Sequence, residues 1–187
     1  MEQDLVRRAQ AGDEDAYTVL VRQHEEAVFR LAYLIVGDAD DAADVAQETF
    51  IRAYRRLDQF DASRPLRPWL LQVAANLARN RRRTLGRYRA MLGRVFAHTP
   101  RVAPSAESEN TRFQQSEALW QAIHRLDQRD QEIIYLRYML ELSVQETAQV
   151  LDVRPGTVKS RLSRALDRLR GVVLAEFPLL TEGRRRI

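Results

Sequence analysis

The 187-residue sequence contains no cysteine. This absence excludes disulfides and cysteine-based zinc sites, and it fits the reducing cytoplasm, where we expect the protein to reside. The three histidines, His24, His98 and His124, lie far apart, so a histidine metal site has no support. No apolar run approaches the length of a membrane-spanning helix, and the N-terminal segment lacks the apolar core of a signal peptide. We therefore expect no membrane insertion.

Features that an enzyme active site requires are also scarce. There is no cysteine nucleophile, the histidines have no metal-ligand spacing, and the seven glycines do not form a phosphate-binding loop. We predict no catalytic residues, no metal and no cofactor. An all-helical enzyme is therefore the least favoured functional class.

Positive charge is scarce in the first third of the chain and concentrated in two later segments. Residues 1–62 hold fourteen acids against seven arginines, whereas residues 79–101 hold eight arginines and no acid. Residues 154–170 hold six basic residues against one acid. A single run of this kind is as often an ordinary solvated helix face. Two such runs, each attached to a motif, favour a surface that binds a polyanion.

Apolar residues recur at helical spacing through nearly the whole chain, and no segment alternates as a strand does. Four helices are predicted before residue 98, and four after residue 111 at about 113–125, 128–139, 143–151 and 155–171. Residues 98–111 contain two prolines, small polar residues and no apolar period, which indicates a flexible linker. The predicted fold class is all-α, with an N-terminal helical bundle and a C-terminal helix-turn-helix domain joined by this linker.

The linker also sets the predicted domain boundaries. Residues 1–97 form the N-terminal domain, residues 112–175 the C-terminal domain, and residues 176–187 a tail. We expect each domain to fold around its own apolar core. The first core is predicted to contain Leu20, Leu31, Phe50, Trp69 and Leu77, and the second Trp120, Ile133, Leu136, Val150 and Leu162.

The most specific pattern is SVQETAQVLDVRPGTVKSRLSRALDRLR, residues 143–170. Ser143 with Glu146 is a capping box that starts one helix, and Asp152 ends it, because aspartate tolerates the left-handed backbone of a tight turn. A second helix opens at Pro155 with an apolar face and a basic, polar face. Short polar and basic side chains at this position suit a reader of the DNA major groove, although a helix-turn-helix can also bind protein.

Two earlier helices also have a polar face opposite an apolar one. In residues 44–57 the polar face carries one exposed aliphatic residue, Ile51, which also fits an ordinary surface helix. The next helix carries amides and arginines beside the loop FDASRPLRP, residues 60–68, and such groups can hold an unpaired base and its phosphates. Trp69 is predicted to anchor the core rather than to stack on a base.

Together these motifs resemble the extracytoplasmic-function (ECF) sigma factors of bacterial RNA polymerase. The resemblance covers nearly the whole chain, including GDEDAYTVLVRQHEEAVFRLA, DAADVAQETFIRAY, PWLLQVAANLARNRRR and the helix-turn-helix. It implies a non-enzymatic factor for transcription initiation, often regulating a stress response. It also implies binding to the RNA polymerase core, at the clamp helices of the largest subunit and the flap region, and to promoter DNA. Family members are often held inactive by an anti-sigma partner.

The resemblance also assigns residues to three surfaces. The side chains that dock on core polymerase would be Asp44, Gln47, Glu48, Ile51, Arg52 and Arg55. Those that read and melt the −10 promoter element would be Asp61, Ser63, Arg64, Asn76, Arg79, Asn80 and Arg83. Those that read the −35 element would be Arg154, Pro155, Thr157, Lys159, Ser160, Arg161 and Arg164.

Two positions depart from the family pattern and leave the promoter sequence open. Asp152 stands where many relatives have glycine, and Arg154 stands where an N-capping serine is common. The alternative function is a two-domain helix-turn-helix regulator that binds DNA without binding core polymerase. Changes on the polar face of residues 44–57 separate the two hypotheses, because only a sigma factor would lose polymerase binding.

Overall fold

The computed structural model describes residues 2–93, 111–177 and 180, and this part of the chain is helical without a strand. Its α-helices are α1 (Glu2–Gln10), α2 (Glu14–Val36), α3 (Ala39–Tyr54), α4 (Leu66–Gly93), α5 (Thr111–His124), α6 (Gln128–Ile134), α7 (Val144–Leu151) and α8 (Pro155–Glu176). A 3₁₀ turn (Leu57–Gln59) follows α3, and a π turn (Tyr135–Met139) extends α6. The predicted all-α class with two helical domains is confirmed.

Two predicted segments fall largely outside the described residues. The linker at 98–111 does so except for Thr111, which begins α5, and the tail does so except for its first two residues and Leu180. The domain boundaries therefore stay a prediction.

The helix boundaries in the N-terminal half come from local capping. Gly12 (φ 91°) and Gly37 (φ 77°) take the left-handed backbone after α1 and α2, which favours glycine. Asp13 starts α2 because its Oδ1 accepts a hydrogen bond of 2.9 Å from the Ala16 amide. The predicted third helix extended to residue 57, but α3 ends at Tyr54 because the chain tightens into the 3₁₀ turn.

Helices α1 to α4 pack around the first core. Where these helices meet, many buried residues are small: Ala42, Ala53, Ala74 and Ala78 have no exposed surface. Thr49, also fully buried, donates its hydroxyl 2.7 Å to the Val45 carbonyl, which satisfies its polar group. Small side chains allow helices to approach closely, so α4 is held firmly against α2 and α3.

The second core lies among α5, α6 and α8, with a contribution from α7. Ile123, Ile133, Tyr135, Val158 and Ala165 are buried there. Trp120 and Leu162 pack against it while partly buried, as predicted.

The prediction of two separate cores is wrong for Leu136 and Val150. Both are buried in the first core with Leu140 and Leu142, because α7 packs along α4. Arg67 of α4 reinforces this contact, donating 2.9 Å to the Leu140 carbonyl. The π turn adds a residue to the helical repeat, so apolar side chains of one helix turn toward both cores. Helical spacing predicted that these residues would be buried, but not which helices would cover them.

Candidate nucleic-acid interface

The helix-turn-helix has the local structure that its sequence predicts. Ser143 and Glu146 form both hydrogen bonds of the capping box. The Ser143 amide donates a hydrogen bond of 2.7 Å to the Glu146 carboxylate, and the Glu146 amide donates one of 3.1 Å to Ser143 Oγ. Asp152 takes the left-handed conformation in the turn (φ 53°, ψ 52°). These features fix α7 and the turn, and thereby the position from which α8 starts.

The N-terminal half of α8 presents the predicted −35 readers. Arg154 precedes the helix and makes no side-chain capping bond, and Pro155 takes the first turn, where no hydrogen bond is lost. Arg164 donates 3.1 Å to the Ser160 carbonyl, which lays its side chain along the helix. Arg154, Pro155, Lys159, Ser160 and Arg164 are exposed, and Thr157 and Arg161 are half-buried.

The polar face of α4 is organised by pairs one turn apart. Asn76 accepts a hydrogen bond of 2.9 Å from Arg79, and Asn80 accepts one from Arg83. Asn76, Asn80 and Arg83 are exposed, whereas Arg79 is half-buried. Three of the four predicted side chains on this face are therefore open to a nucleic acid.

A cleft of about 350 Å³ lies beside α4, at the loop that follows the 3₁₀ turn. The rings of Phe60 and Trp69 line it, with their centroids 4.8 Å apart. Trp69 packs against the first core as predicted, but it also contributes to the wall of the cleft. Arg64 lies at the same cleft and could bind a phosphate, so aromatic and cationic groups are combined as in sites for single-stranded nucleic acids.

Asp61 and Ser63 form a local turn at this loop. Asp61 Oδ1 accepts bonds of 2.7 Å from the Ser63 hydroxyl and 2.9 Å from its amide. These two bonds hold the pKa of Asp61 below its usual value. Both residues shape the loop, and both remain exposed.

The face of α4 also meets the C-terminal half of the chain, at a buried carboxylate. Glu132 of α6 lies 3.2 Å from Arg79 and 3.8 Å from Arg82, with 8% of its side chain exposed. Burial raises the pKa of Glu132, while Arg79, Arg82 and, more weakly, Arg161 of α8 oppose that rise. We call these four residues the Glu132 cluster. It places two arginines of α4 against one carboxylate of α6, with the charge of Arg161 of α8 acting on the same carboxylate.

The Glu132 cluster is costly to bury. Burial lowers the pKa of Arg82, and Arg82 Nε has no hydrogen-bond partner among the residues that the structure describes. The other nitrogens of this guanidinium bond the Ile35 carbonyl at 3.2 Å and Gln128 at 2.7 Å. Because desolvation offsets much of the attraction in such pairs, this contact between the halves adds little net stability.

A groove of about 760 Å³ runs between α2 and α3. The Tyr17 hydroxyl donates 2.6 Å to the Phe50 carbonyl, and the Tyr17 and Tyr54 rings lie 4.8 Å apart. Burial raises the pKa of Tyr17 to about 12, so the phenol is neutral at physiological pH. Ile51 and Tyr54 are 39% and 46% exposed. Exposed aromatic and aliphatic groups beside polar ones are typical of a protein-docking surface.

The predicted docking face of α3 borders this groove and is exposed apart from the half-buried Glu48. Arg81 of α4 lies 3.5 Å from Asp44 and 2.6 Å from Asp41. Glu48 and Arg52 pair along the helix at 2.6 Å. The remaining three predicted residues, Gln47, Ile51 and Arg55, line the groove itself.

Known proteins match both halves of the chain. The Sigma-70 region 2 family matches residues 20–88, and the Sigma-70, region 4 family matches residues 116–169. ECF RNA polymerase sigma factor SigW of Bacillus subtilis is 31% identical, over 88% of this chain and 92% of the relative. The chain belongs to the ECF sigma factors. The alternative of a regulator that does not bind core polymerase is not favoured, because the similarity extends across both regions.

Another relative agrees with this assignment, and two solved structures share the fold. The ECF RNA polymerase sigma-E factor of Salmonella typhimurium is 32% identical, over 88% of this sigma factor and 90% of the relative. The structure of CnrH in complex with the cytosolic domain of CnrY has a TM-score of 0.70 at 27% identity, and the match covers 94% and 98% of the two chains. The fold is shared with sigma factor RpoE of Bartonella quintana, with a TM-score of 0.64 at 24% identity.

Several residues of this sigma factor were not identified from the sequence, most of them on helices that lie far along the chain from the predicted sites. Glu132 and Arg82 complete the Glu132 cluster, Gln149 of α7 lines the cleft, and Thr18 and Val21 of α2 line the groove. One signal was available for Glu132: it is a carboxylate directly before the apolar run IIYL. A charge in such a position is usually paired when it is buried.

Membrane-spanning helices and metal-binding clusters are both absent from the described part of the sigma factor. Within residues 2–93 and 111–177, no helix has both the length and the apolar character to cross a membrane. The same described residues contain no group of three or more side chains suited to hold a metal ion.

Proposed function

We propose that this sigma factor divides its work among three surfaces. The groove between α2 and α3, with Gln47 and Ile51, docks on the clamp helices of core polymerase. The cleft and the polar face of α4 capture and melt the −10 element. The N-terminal half of α8 reads the −35 element in the major groove. The observation that carries this proposal is the exposure of most of these side chains on helices that the two cores hold in place, as a reading surface requires.

We further propose that the protein has no catalytic activity of its own and acts in the cytoplasm, where core polymerase and promoters are found. The proposed function needs no catalytic group, because the protein contacts promoter DNA while the polymerase catalyses RNA synthesis. An anti-sigma factor is the expected regulator. The structure of CnrH bound to the cytosolic domain of CnrY supports this expectation.

Run-off transcription tests the proposal. The purified protein, added to core polymerase with genomic DNA fragments, should direct transcription from defined start sites. Replacing Asp44 and Gln47 together with alanine should lower core affinity about tenfold, because docking surfaces concentrate their binding energy in few residues. The fold should be retained, since both side chains are exposed and Arg81 keeps its bond to Asp41. Unchanged core affinity would mean that this face is wrongly assigned.

A second prediction concerns the −35 element. Arg161→Ala and Lys159→Ala should each weaken binding to the −35 sequence selected by the wild type, by about 1–3 kcal/mol where the side chain reads a base edge. Removing a side chain that contacts only phosphate would instead weaken binding to all sequences alike and reduce its salt dependence. Competition between selected and scrambled duplexes distinguishes these results. Wild-type affinity of both variants for both duplexes would refute the assignment of α8.

A further inference from the structure

Helix α1 lies against the segment that carries the cleft, residues 57–66, which we call the α3–α4 segment. The side-chain amide of Gln10, at the C-terminal end of α1, donates to the Leu57 and Phe60 carbonyls, at 2.7 Å in each case. Both bonds are partly shielded from water, which makes a lost partner more costly. One side chain thus fixes the backbone on both sides of the 3₁₀ turn.

Two more side chains of α1 reach the same segment. Gln3 donates 3.2 Å to the Ser63 carbonyl, and Glu2 accepts a bond of 3.5 Å from the Leu66 amide, where α4 begins. Glu2 is itself held 3.0 Å from His24 of α2, a residue whose pKa is lowered by burial. The contacts of α1 therefore recur at every third residue from 57 to 66.

We infer that α1 positions the α3–α4 segment for base capture, with Gln10 as its principal positioning residue. The inference rests on the proposed function of the cleft. Phe60 is the link between the two, because its carbonyl is bound by Gln10 and its ring packs on Trp69 in the cleft wall. A shift of the backbone at Phe60 would move the surface that receives the base.

The rest of α1 is attached independently of Gln10. Val6 and Ala9 are 1% and 5% exposed in the first core, and they hold the helix against α2. Loss of the Gln10 amide should therefore leave the fold in place while it frees the segment locally. This separation of roles makes the inference testable, because positioning and stability respond to different substitutions.

The test uses holoenzyme assembled from core polymerase and the full chain, with a pool of randomised single-stranded DNA hexamers as the probe. Gln10→Ala should reduce the preference for the hexamers that the wild type selects by about fivefold to tenfold, since two hydrogen bonds are lost. Core affinity and selection of −35 duplexes should stay unchanged. General destabilisation of the protein would instead lower the hexamer preference, the core affinity and the −35 selection together. Arg7→Ala, an exposed change on the same helix, is the matched control and should retain full preference.

Each outcome decides the inference. If Gln10→Ala selects the wild-type hexamers with wild-type preference, α1 does not position the segment. Arg64→Ala and Trp69→Ala then report separately on the cleft. If those two variants also leave selection unchanged, or if the wild type selects no hexamer, the cleft does not read DNA. In that case the proposed function of the cleft fails, and this inference fails with it.

Discussion

Replacing Glu132 with glutamine should raise the affinity of the free protein, without polymerase, for single-stranded DNA by about ten- to a hundredfold. Glu132 lies 3.2 Å from Arg79, and its negative charge offsets the attraction of this arginine for a DNA phosphate. Glutamine keeps the shape but removes the charge that holds the arginines of the cluster together. The arginines then repel one another, and the contact between α4 and the C-terminal half is weakened.

Titration of labelled single-stranded DNA measures this effect, and Glu26→Gln is the control. Glu26 is exposed on α2, so the control has the same change in net charge without a change in the cluster. Small-angle scattering of the Glu132 variant should also show a larger radius of gyration than the wild type. Equal affinity gains in the two variants would mean that net charge alone is responsible and that Glu132 does not restrain Arg79.

Leu136→Ala should lower the free energy of unfolding by about 2–5 kcal/mol and destabilise both halves of the protein together. Leu136 is 1% exposed and lies in the first core, although it belongs to the C-terminal half of the chain. A cavity there removes contacts with helices of both halves. The wild type should accordingly unfold in one cooperative transition.

The two tryptophans allow each half to be observed separately. Trp69 reports on the N-terminal half and Trp120 on the C-terminal half, so Trp120→Phe and Trp69→Phe backgrounds leave one fluorescent reporter each. In denaturant, Leu136→Ala should shift both transitions by the same amount. Leu174→Ala, at a side chain that is 65% exposed, should change neither by more than about 0.5 kcal/mol. A shift confined to Trp120 would show that the halves have independent cores.

Local features of the fold could be predicted from the sequence because their causes are local. The capping box of Ser143, the left-handed turn at Asp152 and the glycine ends of two helices each depend on residues within one turn. Helical spacing likewise places Asp44, Gln47 and Ile51 on one face of α3, but their docking role comes from the family resemblance and stays a prediction.

Features that depend on distant pairs could not be predicted in this way. Gln10 meets carbonyls 47 and 50 residues away, and Arg79 meets Glu132 across 53 residues. A periodic pattern indicates that a residue faces inward, but it does not name the element that covers it. The burial of Leu136 and Val150 in the first core is the clearest case. The sequence alone does not distinguish a polar residue that pairs with a distant partner from one that is exposed to solvent.

The Glu132 cluster also has a thermodynamic consequence. Glu132 offsets positive charge on Arg79 that would otherwise attract a DNA phosphate, so closure of the two halves through this contact and DNA binding are linked equilibria. If closure weakens DNA binding by a given factor, DNA must weaken closure by the same factor, since the coupling free energy is reciprocal. A ligand that binds only the closed form would therefore compete with the promoter without touching any residue that reads it.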